Sequence, residues 1–166
     1  MPADAEAIAG VYRDAVRRIG PVAYSEDQVE AWARHPLDIN EFRIRLSRGV
    51  TLVMEEASKI IAFGQLEPYH HIAFLYTDGA HNRQGVGSQI YDALEQCAQL
   101  QHVSEIQTEA SRISRPFFQK KGYEVVKAET VIHFGVEFER FQMAKHICLG
   151  QLSTYGGHEH AGRIAS

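Results

Sequence analysis

The chain predicts a single α/β domain of three layers, a mixed and mostly antiparallel sheet with helices on both faces. Three observations carry this. Apolar residues at helical spacing fill the N-terminal part. Runs suited to strands, bounded by polar turns, dominate after Gly49. In mid-chain a glycine-rich loop, Gly85-Val86-Gly87, joins one such run to a long amphipathic helix, so helices occur on both sides of strands. A length of 166 residues suits one domain with a real core.

The elements follow in order. Ile8, Val11, Tyr12, Ala15 and Ile19 recur at spacings of three and four and mark one face of a first helix, ended near Gly20-Pro21. Ser25-Glu26-Asp27-Gln28 reads as a capping box, with Ser25 as N-cap and Gln28 at the third helical position. The second helix carries Val29 and Trp32 and stops near His35-Pro36. Asp38 to Ser47 reads as a third short helix, ended by Gly49. Val50 to Met54 and Lys59 to Leu66 flank the polar turn Glu55 to Ser58 in a hairpin pattern. Pro68-Tyr69-His70 makes the next turn, and His71 to Thr77 the next strand of an antiparallel meander.

The helix entered at Gly85 carries Val86, Ile90, Leu94 and Cys97 on one stripe, and Ile106 to Glu109 is strand-like. Arg115 to Lys121 is a short helix with Pro116 at a tolerated early position and Gly122 closing it. Tyr123 to Val126, Thr130 to Phe134 and Phe138 to Met143 read as closing strands. The domain so defined spans 1–148. Residues 149–166 form a Gly-, Ser- and His-rich tail without periodicity, expected to be mobile.

Composition excludes several classes. The net charge of −4 gives no reason to expect nucleic acid or an anionic membrane as partner. No apolar run approaches the ~18 residues of a membrane span, and the acidic, Ala-rich N-terminus lacks the parts of a signal peptide. Cys97 and Cys148 are isolated, which makes a reducing cytoplasm the expected compartment. His158-x-His160, with Cys148 upstream, fits no closed metal site, and no metal is expected.

The glycine loop carries the functional signal. The first four N–H groups of a helix have no intrahelical partner, and with the positive end of the helix dipole they form an anion site. No lysine precedes Ser88, so this is not a Walker loop. Ile90 stands where a dinucleotide fingerprint needs glycine or alanine. A phosphate-bearing cofactor held by main chain is one reading, and a tight turn into a packed helix is the other.

With these residues in view, the chain resembles the GNAT superfamily of acyl-CoA-dependent N-acyltransferases. The family's cofactor motif, Gln/Arg-x-x-Gly-x-Gly/Ala, reads Asn82-Arg83-Gln84-Gly85-Val86-Gly87, with Asn82 departing at the first position and Arg83 one place later. Pro116-Phe117-Phe118, followed by Gly122-Tyr123, is similar to the family's later motif of an aromatic pair, three residues, glycine and an aromatic. The likeness covers about residues 3–146, and the stretch from Ala23 to Trp32 is similar to a bacterial subgroup of loosely characterised members. It implies an N-acetyltransferase that moves the acetyl group of acetyl-CoA directly to an amine acceptor, a small molecule or peptide, in a ternary complex. The alternative is a CoA-binding sensor or interaction protein with little or no turnover.

The same resemblance implies roles. Main-chain groups of Leu75, Tyr76 and Thr77 would meet the pantetheine arm and thioester. The amides of Arg83, Gln84, Gly85, Val86, Gly87 and Ser88, with Asn82 at the loop's start, would hold the pyrophosphate. Ser111 stands where an asparagine often touches pantetheine. Phe118 stands where the family's acid is a tyrosine, so the CoA thiolate, whose thiol has a pKa near 8.5, would leave without a side-chain acid. For the base, His71 is first choice, at the start of a strand where some members carry a glutamate. Its ordinary pKa near 6.5 leaves a neutral fraction at physiological pH. Glu67, across the turn, is second choice, acting directly, through water or by orienting His71. A Glu and a His beside a turn also read as solvated surface, because a base is judged by geometry first. Tyr24 and Trp32, around the helices that cap the substrate side, are candidates for acceptor contact, with core packing the other reading. Arg112, Arg115, Lys120 and Lys121 either attract CoA phosphates or form a solvated helix face. Family members usually start with an edge strand, whereas this chain begins almost at the first helix. A partner chain, as in a homodimer, or the C-terminal tail is therefore expected to cover that edge.

Overall fold

The protein is seen in a computed structural model that describes residues 4–147 and 163–165. Helices α1 (Ala5–Ile19), α2 (Glu26–Ala33) and α3 (Ile39–Leu46) form where the periodicity puts them. The capping box is complete: the Gln28 N–H donates to Ser25 Oγ at 3.3 Å and the Ser25 N–H to Gln28 Oε1 at 3.0 Å. Asp38 lies outside α3 and caps it, its Oδ1 accepting from the N–H groups of Asn40 and Glu41 at 2.7 and 3.0 Å. Such caps are worth about 1 kcal/mol each.

Strands β1 (Val50–Glu56) and β2 (Lys59–Leu66) are joined by Ala57 and Ser58 alone, both in the left-handed region with φ of 48° and 62°. The hairpin is tighter than the polar run suggested, because a two-residue turn of this hand matches the twist of its strands. Then come β3 (His71–Thr77), α4 (Val86–Leu100), β4 (Glu105–Ala110), α5 (Arg115–Lys120), β5 (Glu124–His133) and β6 (Val136–His146). Two of the expected closing strands, around Tyr123–Val126 and Thr130–Phe134, are one strand, β5. A bulge between Val125 and Lys127 absorbs one residue, so the ladder with β6 continues through it.

The sheet order is β5-β6-β4-β3-β2-β1-β7, where β7 is Arg163–Ala165. Only β3–β4 and β1–β7 are parallel. The outer edge of β1, expected to need cover, is paired by this C-terminal segment. The rest of the tail, including Cys148, His158 and His160, lies outside the described residues.

Each face of the sheet has its own core. Helices α4 and α5 cover a largely aliphatic one that includes Leu66, Ile90, Leu94, Ile106 and Met143. Helices α1 to α3 cover an aromatic one built on Tyr12, Phe42, Phe63, Phe74 and Phe138. Burying each of these large side chains contributes about 1.5–3 kcal/mol. Among the described residues, no helix is long and apolar enough to cross a membrane.

Candidate active site

The glycine loop lies at the C-terminal end of β3. Gly85 is the N-cap of α4 with φ of +84°, a conformation that favours glycine. Nothing lies within 4 Å of where its Cβ would be, so backbone conformation rather than crowding calls for glycine. At Gly87 the reason is proximity: a Cβ there would sit 3.3 Å from Thr77 Oγ1. Asn82 to Gly85 are exposed, and the first N–H groups of the 15-residue helix that follows have no intrahelical partner. The turn before the loop is pinned. Its His81 donates from Nδ1 to Asp78 Oδ1 at 2.6 Å and from Nε2 to Glu56 Oε2 at 2.8 Å. The Asp78 bond first, then Glu56, holds the His81 imidazole above its ordinary pKa.

From that loop β3 runs back beside β4, and the two strands part. They pair only at His71↔Gln107 and Ile72↔Thr108. The Thr108 hydroxyl donates to the Ile72 carbonyl at 3.0 Å at the last paired position. Beyond it the β4-facing main chain of residues 73–77 has no strand partner among the described residues. A bulge accompanies the divergence. Gln65 pairs with Phe74 but Leu66 pairs with Ile72, which leaves Ala73 as the extra residue. Bulges bend the strand and increase its twist. The result is a wedge running from the glycine loop to an apex at Ile72, and Leu75, Tyr76 and Thr77 along it are partly exposed.

At the apex stands His71. Its Nε2 is 2.7 Å from Glu109 Oε2 and its Nδ1 is 3.2 Å from the Glu67 main-chain oxygen. Both neighbours are acceptors, so both ring nitrogens donate in this geometry. The bond to Glu109 raises the imidazole's pKa above its ordinary value, against burial and the Arg45 cation, which lower it. The same bond lowers that of Glu109. Glu67 thus meets His71 through its carbonyl, while its carboxylate lines a groove under α3.

Sequence reading missed Glu109. The signal was available: a β3–α4–β4 crossover sets β4 parallel to β3, and Glu109 is two residues past the partner of His71, on the same face. It also missed the polar floor beyond. Arg140 Nε donates to Glu129 Oε1 at 2.6 Å and Gln142 Nε2 to Glu129 Oε2 at 3.0 Å, and Gln142 is the cross-strand neighbour of Glu109.

The acetyltransferase (GNAT) domain family matches residues 22–145. This chain belongs to the GNAT acetyltransferase family. It is 27% identical over 144 residues to the uncharacterized N-acetyltransferase YafP of Escherichia coli K12, covering 86% of this chain and 90% of that one. It superposes on a GCN5-related N-acetyltransferase from Rhodopseudomonas palustris with a TM-score of 0.85 and 30% identity, over 89% and 92% of the two chains. The PaiA N-acetyltransferase of Thermoplasma acidophilum, solved with coenzyme A, shares the fold at a TM-score of 0.66 and 20% identity, over 88% and 94%. GNAT enzymes use acetyl-CoA and acetylate amines, and the αL cap, the unpaired amides at the helix start and the wedge suit a long thioester with a pyrophosphate at one end.

The remaining candidate residues of this GNAT domain fall in several places. Tyr24 is buried, and its hydroxyl accepts from the Arg112 N–H at 2.9 Å, tying α2 to the loop after β4. Trp32 is half-buried, 5.3 Å from the Tyr24 ring and 6.5 Å from the Tyr76 ring, which puts it between the aromatic core and the wedge. His35 completes this wall, and burial lowers its pKa to about 4, so it is neutral. Ser111 is taken up locally, its Oγ 3.0 Å from Ser114 Oγ before α5. Phe118 is buried against Tyr91, Phe117 and Tyr123. Three of the four basic residues near α5 have structural partners: Arg112 pairs with Glu139, Lys121 with Asp92, and Arg115 lies over Phe141. Lys120 is exposed. Among the described residues no cluster of His, Cys, Asp and Glu could hold a metal.

Proposed function

We propose that this protein transfers the acetyl group of acetyl-CoA directly to an amine bound with it in a ternary complex, with His71 as general base. The observation that supports this is the His71 imidazole at the wedge apex, between the Glu67 carbonyl and the Glu109 carboxylate. Acetyl-CoA supplies an acyl group already activated as a thioester. The chain's residues do the rest. The Glu67 carbonyl can only accept, so Nδ1 keeps its proton and the neutral ring offers Nε2 as its basic nitrogen. The ring as observed donates from both nitrogens, so it acts as base once Nε2 has lost its proton: Nε2 then takes one proton from the ammonium acceptor, Glu109 stabilises the imidazolium that forms, and the second proton shed by the nitrogen as the amide forms goes to solvent. Unpaired N–H groups along residues 73–77 polarise the thioester carbonyl. The amides at the start of α4 hold the pyrophosphate. Phe118 has no proton to give, so the thiolate leaves as such and solvent protonates it. A covalent route through Cys97 is not invoked, since that thiol sits on α4 with its pKa raised by burial. The protein works in the reducing cytoplasm, on a small-molecule or peptide amine.

Thiol release from acetyl-CoA across a panel of amines tests the reading, with the His71→Ala and His71→Gln variants beside the parent. Turnover that falls by ~10²-fold or more in kcat/KM is the expected result. Unchanged kinetics would move the role to the Glu67 carboxylate or to water. Tight CoA binding with no thiol release for any amine would mean a binding protein without turnover.

A further inference from the structure

Beside the apex, on the α1–α3 face, an open groove of about 570 Å³ is lined by Glu41, Ile44, Arg45, Arg48 and Glu67. The first four sit at spacings of one, three and four along α3 and the turn after it, so they share one face. Glu67 faces them from the β2–β3 turn. We infer that this groove receives the acceptor, and that the acceptor is an amino carboxylate: Arg45 and Arg48 read its carboxylate, while its amine lies toward Glu67 and His71. The inference rests on the transferase reading above for the fate of the amine and gives it a substrate class.

Four observations support it. First, among the described residues no carboxylate forms an ion pair with Arg45 or Arg48, whereas Arg17, Arg18, Arg112 and Arg140 each have one. Two glutamates line the same groove and still leave both guanidiniums without one.

Second, the arginines are mounted on a fixed rim. Gln65 is fully buried, and its Nε2 donates to the main-chain oxygens of Arg45 and Arg48 at 2.7 and 3.0 Å. The buried Thr51 hydroxyl holds the Leu46 carbonyl at 2.7 Å. The turn is seated closely on the far wall, since a Cβ on Gly49 would run into the Leu66 carbonyl and lie 2.8 Å from Glu67 Oε2. A backbone already held in place leaves only the arginine side chains to order on binding.

Third, the groove adjoins the residue that holds the base. Glu67 lines it, and the carbonyl of that same residue accepts from His71 Nδ1. The Arg45 guanidinium lies 4.5 Å over the ring of Phe74, next to the bulged Ala73, and its charge is felt at His71.

Fourth, the charges in the groove balance, two cations against two carboxylates. A dianionic phosphate would face both glutamates. A zwitterion satisfies both signs, its carboxylate forming charge-assisted bonds to planar guanidinium and its ammonium drawn to Glu67.

Matched acceptors test this: amino carboxylates, their carboxamides and amino phosphates, with kcat/KM expressed per neutral amine so that differences in amine pKa drop out. The parent protein is expected to prefer the carboxylate over its carboxamide by about tenfold or more, the range of one charged hydrogen bond. In the Arg45→Gln/Arg48→Gln double variant the ratio falls toward one, and Arg45→Lys/Arg48→Lys retains part of it. A thermal melt on each variant checks that it folds. A ratio near one in the parent, a ratio that survives in the double variant, or a preference for the phosphate overturns the inference. Calorimetry of the same probes on CoA-loaded protein separates the two readings. Arginine-dependent carboxylate binding without turnover keeps the groove's ligand and discards the transfer step. Turnover without carboxylate preference discards the groove and keeps the transfer. Neither binding nor turnover discards both.

Discussion

The two ends of β3 are made of different material. At its C-terminal end, the glycine loop offers main-chain amides, and the side chains of Asn82, Arg83 and Gln84 stand exposed around it. At its N-terminal end, the apex depends on side chains, His71 held between Glu109 and the Glu67 carbonyl. A site made of main chain tolerates changes of side chain but not of backbone conformation. A site made of side chains has the opposite sensitivity. This explains how Asn82 can stand where the family pattern has Gln or Arg without removing the feature that suits a phosphate.

The largest expected effect lies at the apex. His71→Ala should lower kcat/KM by ~10²-fold or more while the KM for acetyl-CoA stays near that of the parent. A change confined to that KM would break the contrast between the two ends.

Glu109→Gln comes next. Without the carboxylate that chiefly raises the His71 pKa, the ring is neutral at lower pH, so the acid limb of the kcat/KM profile should move to lower pH. The plateau should fall about tenfold, because the imidazolium formed in the reaction loses a charge-assisted bond worth about 1.5–3 kcal/mol. An acid limb that stays in place would remove Glu109 from the mechanism.

At the other end, Gly85→Val places a β-branched residue where φ is +84°. The strain of about 1–3 kcal/mol should raise the KM for acetyl-CoA about tenfold and leave the apex pH profile unmoved. Asn82→Ala and Arg83→Ala should each stay within about threefold of the parent, the scale of screened surface interactions. A tenfold loss in either would mean that the loop binds through its side chains after all.

The smallest effect is on folding. His71 has its pKa raised in the folded protein, so its contribution is full below its unfolded value near 6.5 and fades as pH rises through the folded one. Glu109 has its pKa lowered, so its contribution is full above an unfolded value near 4.5 and fades as pH falls through the folded one. Urea midpoints of the parent and of His71→Gln should therefore differ most between these values. A difference that is flat with pH would show that the pair adds nothing to stability.

Much of the fold was legible in the chain. The capping box at Ser25 and Gln28, the stripe of α4 and the strand His71–Thr77 are local patterns, each readable within a few residues. The β5 strand was not, because its continuity depends on a bulge that only the partner strand β6 reveals. Glu109 was legible in principle, through the parallel crossover, but only once the register of β3 and β4 is known. Arg45 and Arg48 carry no signal in the sequence, since nothing near them there says that Gln65 fixes their backbone or that Glu67 lies opposite.

By itself, then, the sequence determined what depends on near neighbours along the chain: the helices, the caps, and a loop with two glycines at the start of a helix. Tertiary structure decided what depends on distant segments meeting. β3 parts from β4 where a bulge falls at Ala73, the crossover brings Glu109 to His71, and the C-terminal segment pairs with the edge of β1. Main-chain chemistry is common to every residue and is placed by local conformation. A pair of side chains on different strands acquires its chemistry only from the register that sets them 2.7 Å apart.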